Sequence, residues 1–392
     1  MRSGLKAAML GGVIAAGLLA LGAARAETGV GADKILFGQT AALGGPAAAL
    51  GQGMQVGIAA AFDEANRAGG VKGRKLELRS VDDGYEPDRA SAAAKKLINE
   101  DKVFALVGAV GTPTSAVVQP IASEAGVPVI GAFTGAEFLR EPYKPYVINL
   151  RASYIQETEE MVAHLTTDLG DSRIAIFYQN DAFGQAGLAG VRRAMDKRHM
   201  ALVAEGSYER NTTEVTAALT AIKEGDPQAV IMIGAYKPCA EFIRLARRAK
   251  LDVTFVNISF VGSDALSREL GSAGAGVVVT QVVPFPGDIS LKLVKQYQAA
   301  LKAAKPDAMP GFVSLEGYMV GRLVIAALGR IEGDVTRAAL LEAVKKAGPI
   351  DLGGFTVQYG PDNNRGSDSV FLTVLQADGS FQPIDKLSKF GD

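Results

Sequence analysis

FALVGAVGTPTSAVVQPIASEAGVPVIGAFTG, residues 104–135, repeats one arrangement twice: an apolar run, then a turn that carries hydroxyl groups. The first unit is FALVGAVGTPTS and the second is VPVIGAFTG, and a helical segment separates them. In an open α/β sheet, ligands bind beyond the carboxyl ends of the strands, where loops lead into helix N-termini. The stretch therefore predicts two neighbouring strands whose following turns form part of a binding cleft.

The same rhythm continues along the chain. Apolar runs predict further strands at KILFGQTA, KLELRSVDD, RIAIFYQ, ALVAEGSY, AVIMIGA and TFVNIS, with helical patterns such as 51–68 and 87–101 between them. Strands that are apolar at almost every position and alternate with amphipathic helices indicate parallel sheets covered on both faces. The fold class is therefore α/β and doubly wound, and the rhythm before and after residues 149–153 predicts two similar domains.

Composition limits the class of partner. The chain has 392 residues, 48% of them hydrophobic, and a formal net charge of -1. This length and apolar content are typical of two globular domains. Without a basic excess, the sequence favours neither nucleic-acid binding nor attraction to a membrane surface. We expect a small or weakly charged partner.

The N-terminus has the pattern of an export signal. Arg2 and Lys6 precede an apolar run that ends at Ala24-Arg25-Ala26, a small-x-small pattern that signal peptidases cleave. We therefore expect residues 1–26 to be removed and the mature chain to begin at Glu27. An uncleaved membrane anchor is the alternative, because the apolar run is nearly long enough to span a bilayer. No later segment is expected to do so.

The hydroxyl-bearing turns suggest a carboxylate pocket. Thr112, Thr114 and Thr134 follow the two strands of the opening stretch. Helix N-termini present unpaired N–H groups and a partial positive charge, and neighbouring hydroxyls can add further donors to a carboxylate. Helix capping is the alternative role for each threonine taken alone. Two adjacent turns of this kind favour the pocket.

Catalytic and metal-binding patterns are scarce. Cys239 is the only cysteine, so the chain cannot form an intramolecular disulfide, and the two histidines, His164 and His199, are far apart. These residues do not provide a zinc-ligand cluster, and the sequence contains neither a Walker loop nor a G-x-S-x-G elbow. We expect a protein that is not an enzyme and needs no cofactor or metal. Export without a disulfide suits a bacterial periplasm.

Three segments carry a resemblance to a known family: residues 35–90, FYQNDAFGQAGLAGV and VIMIGAYKPCAEFIRLAR. Together they make the chain similar to type I periplasmic solute-binding proteins of ABC importers, the Leu/Ile/Val-binding family, over essentially the whole mature sequence. The resemblance implies two Rossmann-like lobes joined by three crossing strands. Lobe one would comprise residues 27–150 and 281–355, and lobe two residues 151–280 and 356–392.

The resemblance also implies positions for the ligand. Thr112 matches a serine-type position that holds the ligand carboxylate, and the turn with Phe133 and Thr134 matches the neighbouring contact segment. Phe183 matches an aromatic residue that closes over the ligand from lobe two, and Tyr236 a further aromatic position. Tyr85 is an additional aromatic candidate, although each such aromatic could be an ordinary half-buried residue.

Ser259 departs from the family pattern, because an acidic residue that binds the ligand ammonium is expected there. Burying an ammonium without a carboxylate would leave its desolvation uncompensated. An α-amino acid ligand would then need another acid, with Asp181 and Asp264 as the candidates. The other ligand class is an aromatic or aliphatic carboxylate, which Phe133 and Phe183 would accommodate.

The function implied is that of a periplasmic substrate-binding component of an ABC importer. Its partners would be a small amino acid or organic acid and the permease subunits, with no nucleic acid and no stable membrane insertion, and we expect a monomer. Two alternatives remain: a ligand-sensing subunit of a signalling or regulatory complex, and an exported α/β enzyme.

Overall fold

A computed structural model describes residues 27–389 of the chain. The predicted export signal, residues 1–26, lies outside the described residues. The described part contains two large sheets, each covered by helices, and a third small sheet.

The first lobe is built on five parallel strands and the helices that follow them. The strands are β1 (Lys34–Ala41), β2 (Lys75–Asp82), β3 (Ala105–Val107), β4 (Val129–Ile130) and β5 (Val147–Ile148). The helices are α1 (Ala48–Arg67), α2 (Pro87–Asn99) and α3 (Thr112–Glu124). The strand order is β2-β1-β3-β4-β5, so the turns after β3 and β4 lie side by side.

The second lobe is built on a seven-stranded sheet. Its parallel strands are β6 (Ile174–Gln179), β7 (Ala204–Tyr208), β8 (Ala229–Ile233), β9 (Thr254–Asn257) and β10 (Val278–Gln281). Its helices are α4 (Tyr154–Thr167), α5 (Ala182–Asp196), α6 (Thr216–Glu224), α7 (Tyr236–Arg248) and α8 (Ser263–Leu270).

The C-terminal part of the chain contributes to both lobes. Helices α9 (Lys292–Ala304) and α10 (Phe312–Gly329) pack against α1, and α11 (Arg337–Lys345) follows them. Three short strands then form an antiparallel sheet: β11 (Pro349–Asp351), β12 (Thr356–Gly360) and β13 (Asn363–Gly366). Of the last strands, β14 (Phe371–Leu375) pairs antiparallel with β10, and β15 (Phe381–Ile384) pairs antiparallel with β14. The order of this sheet is β15-β14-β10-β9-β8-β6-β7.

The chain passes between the two large sheets at neighbouring places. The Asn149 amide donates to the Asn364 carbonyl at 2.9 Å, and the Ser367 amide donates to the Leu150 carbonyl at 2.9 Å. Backbone pairing thus holds two of the crossing segments together. The lobe boundaries at residues 281 and 356 stay predictions.

The structure confirms the α/β fold class and the parallel sheets. Strand β1 coincides with KILFGQTA, and every other apolar run that predicted a strand contains one. One expectation is wrong: helix α10 is long and apolar enough to cross a membrane by length and composition. However, 78% of that helix is buried inside the protein, because it packs along α1 as a core element.

Candidate ligand-binding cleft

Three hydroxyl groups meet where the turns after β3 and β4 face the second lobe. The Thr112 and Thr134 hydroxyls are 2.7 Å apart, and both residues are buried. Thr134 also accepts a hydrogen bond from the Ala136 amide at 3.2 Å. Tyr154, the first residue of α4, is buried too; burial raises the pKa of its hydroxyl, while Arg151 and the two threonine hydroxyls act to lower it. The opening stretch therefore brings Thr112 and Thr134 together, as its two turns predict.

Local backbone geometry makes this approach possible. Gly111 precedes α3 with φ of 104°, a region that favours glycine. A Cβ atom there would lie 2.2 Å from the Tyr85 ring, so glycine also lets that ring pack on the turn. Thr114, two residues after Thr112, donates its hydroxyl to the carbonyls of Val110 and Gly111 and so bonds to its own turn.

Arg151 places a guanidinium beside the hydroxyls. It lies between β5 and α4, is fully buried, and its Cζ sits 4.8 Å from the centre of the Phe133 ring. Its Nη2 donates to the Ser259 hydroxyl. Among residues 27–389, its Nε and Nη1 atoms have no hydrogen-bond partner. Buried donors without acceptors are uncommon and indicate a missing partner.

Two glutamates flank this guanidinium. Carboxylate oxygens of Glu157 and Glu316 lie 3.6 Å from Arg151 Nη2 and Nε, respectively. Burial alone would lower the pKa of Arg151, but the two carboxylates outweigh it and the pKa is raised. The guanidinium is therefore charged in the folded protein.

Glu157 is the acid that lies next to Ser259. It accepts from the Ser259 amide and hydroxyl, both at 3.0 Å, and from the Thr280 hydroxyl at 2.7 Å. Its carboxylate oxygens are thus well supplied with hydrogen-bond donors. Ser259 thus connects Arg151 to Glu157, which places a carboxylate of helix α4 next to position 259.

The acids considered as substitutes make other contacts. Asp181 caps α5 by accepting from the Phe183 amide at 2.9 Å, and it pairs with Arg210 at 2.9 Å. Asp264 accepts from the Phe312 amide at 3.1 Å, where α8 of the second lobe meets the start of α10. Burial raises the pKa of the Asp264 carboxyl.

Aromatic rings from both lobes surround the polar group. Phe260 lies at the centre: its ring centroid is 4.5 Å from Phe183, 5.3 Å from Phe133 and 5.9 Å from Tyr85. The Phe183 ring also packs on Tyr154 at 5.5 Å. Phe133 and Tyr85 belong to the first lobe and the others to the second, so these rings close the cleft from both sides.

Two tyrosines also bridge the lobes through their hydroxyls. The Tyr85 hydroxyl accepts from the Gln179 side chain at 3.2 Å, and the Tyr236 hydroxyl accepts from the Ala49 amide at 3.4 Å. Tyr85 adopts φ of 64°, so the turn after β2 directs this aromatic residue across the cleft at some backbone strain. A cavity of about 230 Å³ opens beside Tyr236, between α1 and the start of α10 on one side and α8 on the other.

Five residues of this cluster were not singled out from the sequence: Arg151, Tyr154, Glu157, Phe260 and Glu316. Arg151 had the clearest signal, because VINLRAS puts one arginine within an apolar segment at the predicted crossing between domains. Glu316 had a similar signal, a single acid within the apolar pattern of FVSLEGYMVG. A charge that interrupts an apolar run is buried only when it is paired or functional.

Two doubly wound lobes with a cleft between them define a type I periplasmic binding protein. Residues 34–380 match the family described as periplasmic binding protein, and the chain belongs to this family of solute-binding proteins, which are not enzymes. It is 25% identical over 314 residues to the leucine-specific-binding protein of Salmonella typhimurium, covering 80% of this chain and 83% of that protein.

Solved structures agree with this assignment. A possible leucine/isoleucine/valine-binding protein from Rhodopirellula baltica SH 1 superposes with a TM-score of 0.87 at 40% identity, over 91% of this chain and 98% of that chain. A fatty acid ABC transporter substrate-binding protein from Thermomonospora curvata superposes with a TM-score of 0.84 at 19% identity, over 93% of this chain and 95% of that one. The second likeness shows a shared fold.

Proposed function

We propose that this protein is the exported substrate-binding component of an ABC importer and captures a small carboxylate-bearing solute between its lobes. One observation carries the proposal: within residues 27–389, the buried Arg151 guanidinium has two nitrogens without a hydrogen-bond partner, next to the hydroxyl cluster of Thr112, Thr134 and Tyr154. Export with cleavage near Ala26 and delivery to permease subunits are part of the same proposal.

A carboxylate is the group that best satisfies these donors. An unpaired buried donor costs about 1–3 kcal/mol, and more when it is charged. A ligand carboxylate could accept from the guanidinium and from nearby hydroxyls, which gives charge-assisted hydrogen bonds of roughly twice the usual strength. This assignment uses Thr112 and Thr134 in the role that the sequence predicts for them.

The aromatic walls favour a ligand with an apolar or aromatic body. Phe133 and Phe183 face Phe260 in the cleft, with ring centroids 5.3 Å and 4.5 Å from that of Phe260. Branched-chain or other amino acids and aromatic or aliphatic acids all combine such a body with a carboxylate. The names of the relatives, which refer to leucine, isoleucine and valine, support the amino-acid branch of this class.

Access to the cleft requires the lobes to separate, because the rings from the two sides are in contact. Ligand binding would then stabilise the closed form, and the exposed surfaces of the two lobes would change their relative position. Hinge closure of this kind couples binding to shape. A permease that docks on both lobes could distinguish the loaded receptor from the empty one.

The test is a thermal-shift screen of the mature protein, beginning at Glu27, against amino acids, aromatic acids and short aliphatic acids. A ligand that binds only the folded state adds about 2.7 kcal/mol to the free energy of unfolding at a hundredfold excess over Kd, and this raises the unfolding temperature. The amide of each acid is the control, because it keeps the body and removes the charge. We expect acids to stabilise the protein and amides to fail.

Two results would contradict the proposal. Equal stabilisation by an acid and its amide would show that the carboxylate is not recognised. No stabilisation by any acid would remove the proposed ligand class.

A positive screen is then followed in cells: deletion of this gene, or of the permease genes, should abolish uptake of the solute identified.

A further inference from the structure

Glu316 lies beside Arg151 in the cleft. It is 3% exposed, on helix α10 of the first lobe, and its Oε1 atom is 3.6 Å from Arg151 Nε. Within residues 27–389, no donor forms a hydrogen bond with its carboxylate. Glu157, the other acid beside Arg151, accepts three hydrogen bonds. The two glutamates are therefore in different electrostatic environments.

The charges around Glu316 become unbalanced when a ligand carboxylate is added. Arg151 is one base between two acids, and the charged groups that act on Glu316 are Arg151, Glu157 and Arg140. The Arg140 guanidinium donates to the carbonyls of Ala136 and Arg151, at 2.9 Å each, so backbone oxygens occupy it. If both glutamates are ionised, a ligand carboxylate adds a third negative charge to two acids that already share Arg151.

We propose that Glu316 makes the cleft selective for ligand charge: a plain carboxylate binds at Arg151 only when Glu316 is protonated, whereas a ligand that also carries an amine binds with Glu316 ionised. The proposal rests on the carboxylate-binding function proposed above. In the first case one proton is taken up from solvent and resides on Glu316. In the second, the ammonium of the ligand donates to the Glu316 carboxylate.

The physical reason is the cost of placing a third carboxylate beside one guanidinium in a dry cleft. Like charges within a few ångströms disfavour each other's ionised form, and the least stabilised acid takes the proton. That acid is Glu316, since burial raises its pKa to about 7, Arg151 acts to lower it and Glu157 to raise it. A small change in surroundings near neutral pH therefore changes its charge.

The two ligand classes should show opposite pH dependence. Above about pH 7 Glu316 is ionised, so a plain acid must recruit a proton and binds about tenfold more weakly at about pH 8 than at about pH 6. Below that pH Glu316 is protonated, so a zwitterion must displace a proton and binds about tenfold more weakly at about pH 6 than at about pH 8.

The experiment is calorimetric titration of the mature protein at these two pH values with four probes: 3-phenylpropanoate, 4-methylpentanoate, phenylalanine and leucine. We expect each probe that binds to show the pH dependence of affinity described for its ligand class. Glu316→Gln should remove the slope for plain acids and retain their tight binding at about pH 8. Asp171→Asn is the matched control, because Asp171 is a buried acid with a raised pKa that lies outside the cleft, and its variant should keep both slopes.

The outcomes separate this inference from the proposed function. A plain acid that binds equally well at both pH values, or a Glu316→Gln variant that keeps the slope, overturns the role of Glu316 and leaves carboxylate binding intact. If the native protein binds only phenylalanine and leucine, the Glu316→Gln variant should bind 3-phenylpropanoate and 4-methylpentanoate. If the variant does not bind them, the proposed role of Glu316 is also overturned. If no probe binds at either pH, both proposals fail. Glu316→Asp keeps an acid at this position, so this variant should retain the pH dependence of binding for both ligand classes. Its behaviour then shows that the loss of pH dependence in Glu316→Gln is not caused by misfolding.

Discussion

At the scale of single residues, the cleft depends on how the start of helix α4 is fixed. Ser153 forms a capping box with Gln156: its hydroxyl accepts from the Gln156 amide at 3.3 Å, and its amide donates to the Gln156 side chain at 2.7 Å. This fixes the turn between Arg151 and Tyr154. The guanidinium and the phenol, three residues apart, therefore reach the same hydroxyl cluster from a defined backbone.

Thr112 provides the most direct test of the carboxylate site. Thr112→Val keeps the side-chain volume and removes the hydroxyl, so the ligand loses one charge-assisted hydrogen bond, worth roughly 1.5–3 kcal/mol. Thr134 keeps its bond from the Ala136 amide, so the fold should persist. We expect calorimetry with the best ligand of the screen to show a Kd about tenfold or more higher.

The control is Thr220→Val, because Thr220 is an exposed threonine whose hydroxyl donates to the backbone of its own helix, at the Thr216 carbonyl. The Thr220→Val variant should bind the ligand as tightly as the native protein does. If Thr112→Val binds as tightly as this control, the carboxylate lies elsewhere in the cleft.

The sequence predicts part of this site for a physical reason. Thr112 and Thr134 come from strand-end turns, and the order of parallel strands brings such turns together. Arg151, Glu157 and Glu316 come from three segments whose contacts depend on how the lobes close. Spacing along the chain does not encode a contact of that kind, so the charged part of the cleft becomes visible only in three dimensions.

At the scale of elements, the position of Glu316 depends on close packing between α1 and α10. A Cβ atom on Gly57 would lie 2.0 Å from the Ser314 carbonyl oxygen, and one on Gly317 would lie 2.4 Å from the Met54 carbonyl oxygen. Glycines on both helices therefore allow the backbones to touch. Because Glu316 precedes one of these glycines, the same contact sets its depth in the protein.

Gly57→Ala should disturb this packing. The added methyl group meets backbone rather than a flexible side chain, and overpacking of this kind costs about 1–3 kcal/mol or more. Gly329→Ala, at the end of α10 where a Cβ meets nothing within 4 Å, is the control. We expect urea unfolding to show a loss of stability for the first variant and no loss for the second. Equal stability of the two variants would contradict the close approach of the helices.

The elements themselves differ in how well sequence predicts them. Central parallel strands such as β1 and β8 are buried on both faces over most of their length, so each is a largely apolar run that local composition reveals. Strand β13, Asn363–Gly366, has the sequence NNRG and no apolar residue. It is a strand because its backbone pairs with β12 and meets the crossing at Asn149. Long-range pairing of this kind leaves no local pattern.

At the scale of the whole molecule, polar contacts between the lobes oppose opening at one edge of the cleft. Arg210 of the second lobe pairs with Glu86 of the first at 2.8 Å, and it also pairs with Asp181 of its own lobe. The Asn211 side chain donates to Glu86 at 2.7 Å and to the Gly84 carbonyl at 3.1 Å. Glu86 is the shared acceptor, so its side chain connects both second-lobe residues to the first lobe.

Glu86→Ala should therefore favour the open form. The Glu86 side chain is 41% exposed, so its ion pair contributes only about 0–1 kcal/mol. Because this contact exists only when the lobes are closed, its loss should weaken ligand binding by up to about fivefold, and less at high salt. The radius of gyration of the unliganded protein, measured by X-ray scattering, should increase.

Glu77→Ala is the matched control: it removes an exposed ion pair with Lys34 at 2.9 Å that lies within the first lobe. If both variants give the same radius and the same affinity, the contacts of Glu86 do not bias closure, and other contacts between the lobes, such as the aromatic rings around Phe260, would hold them together.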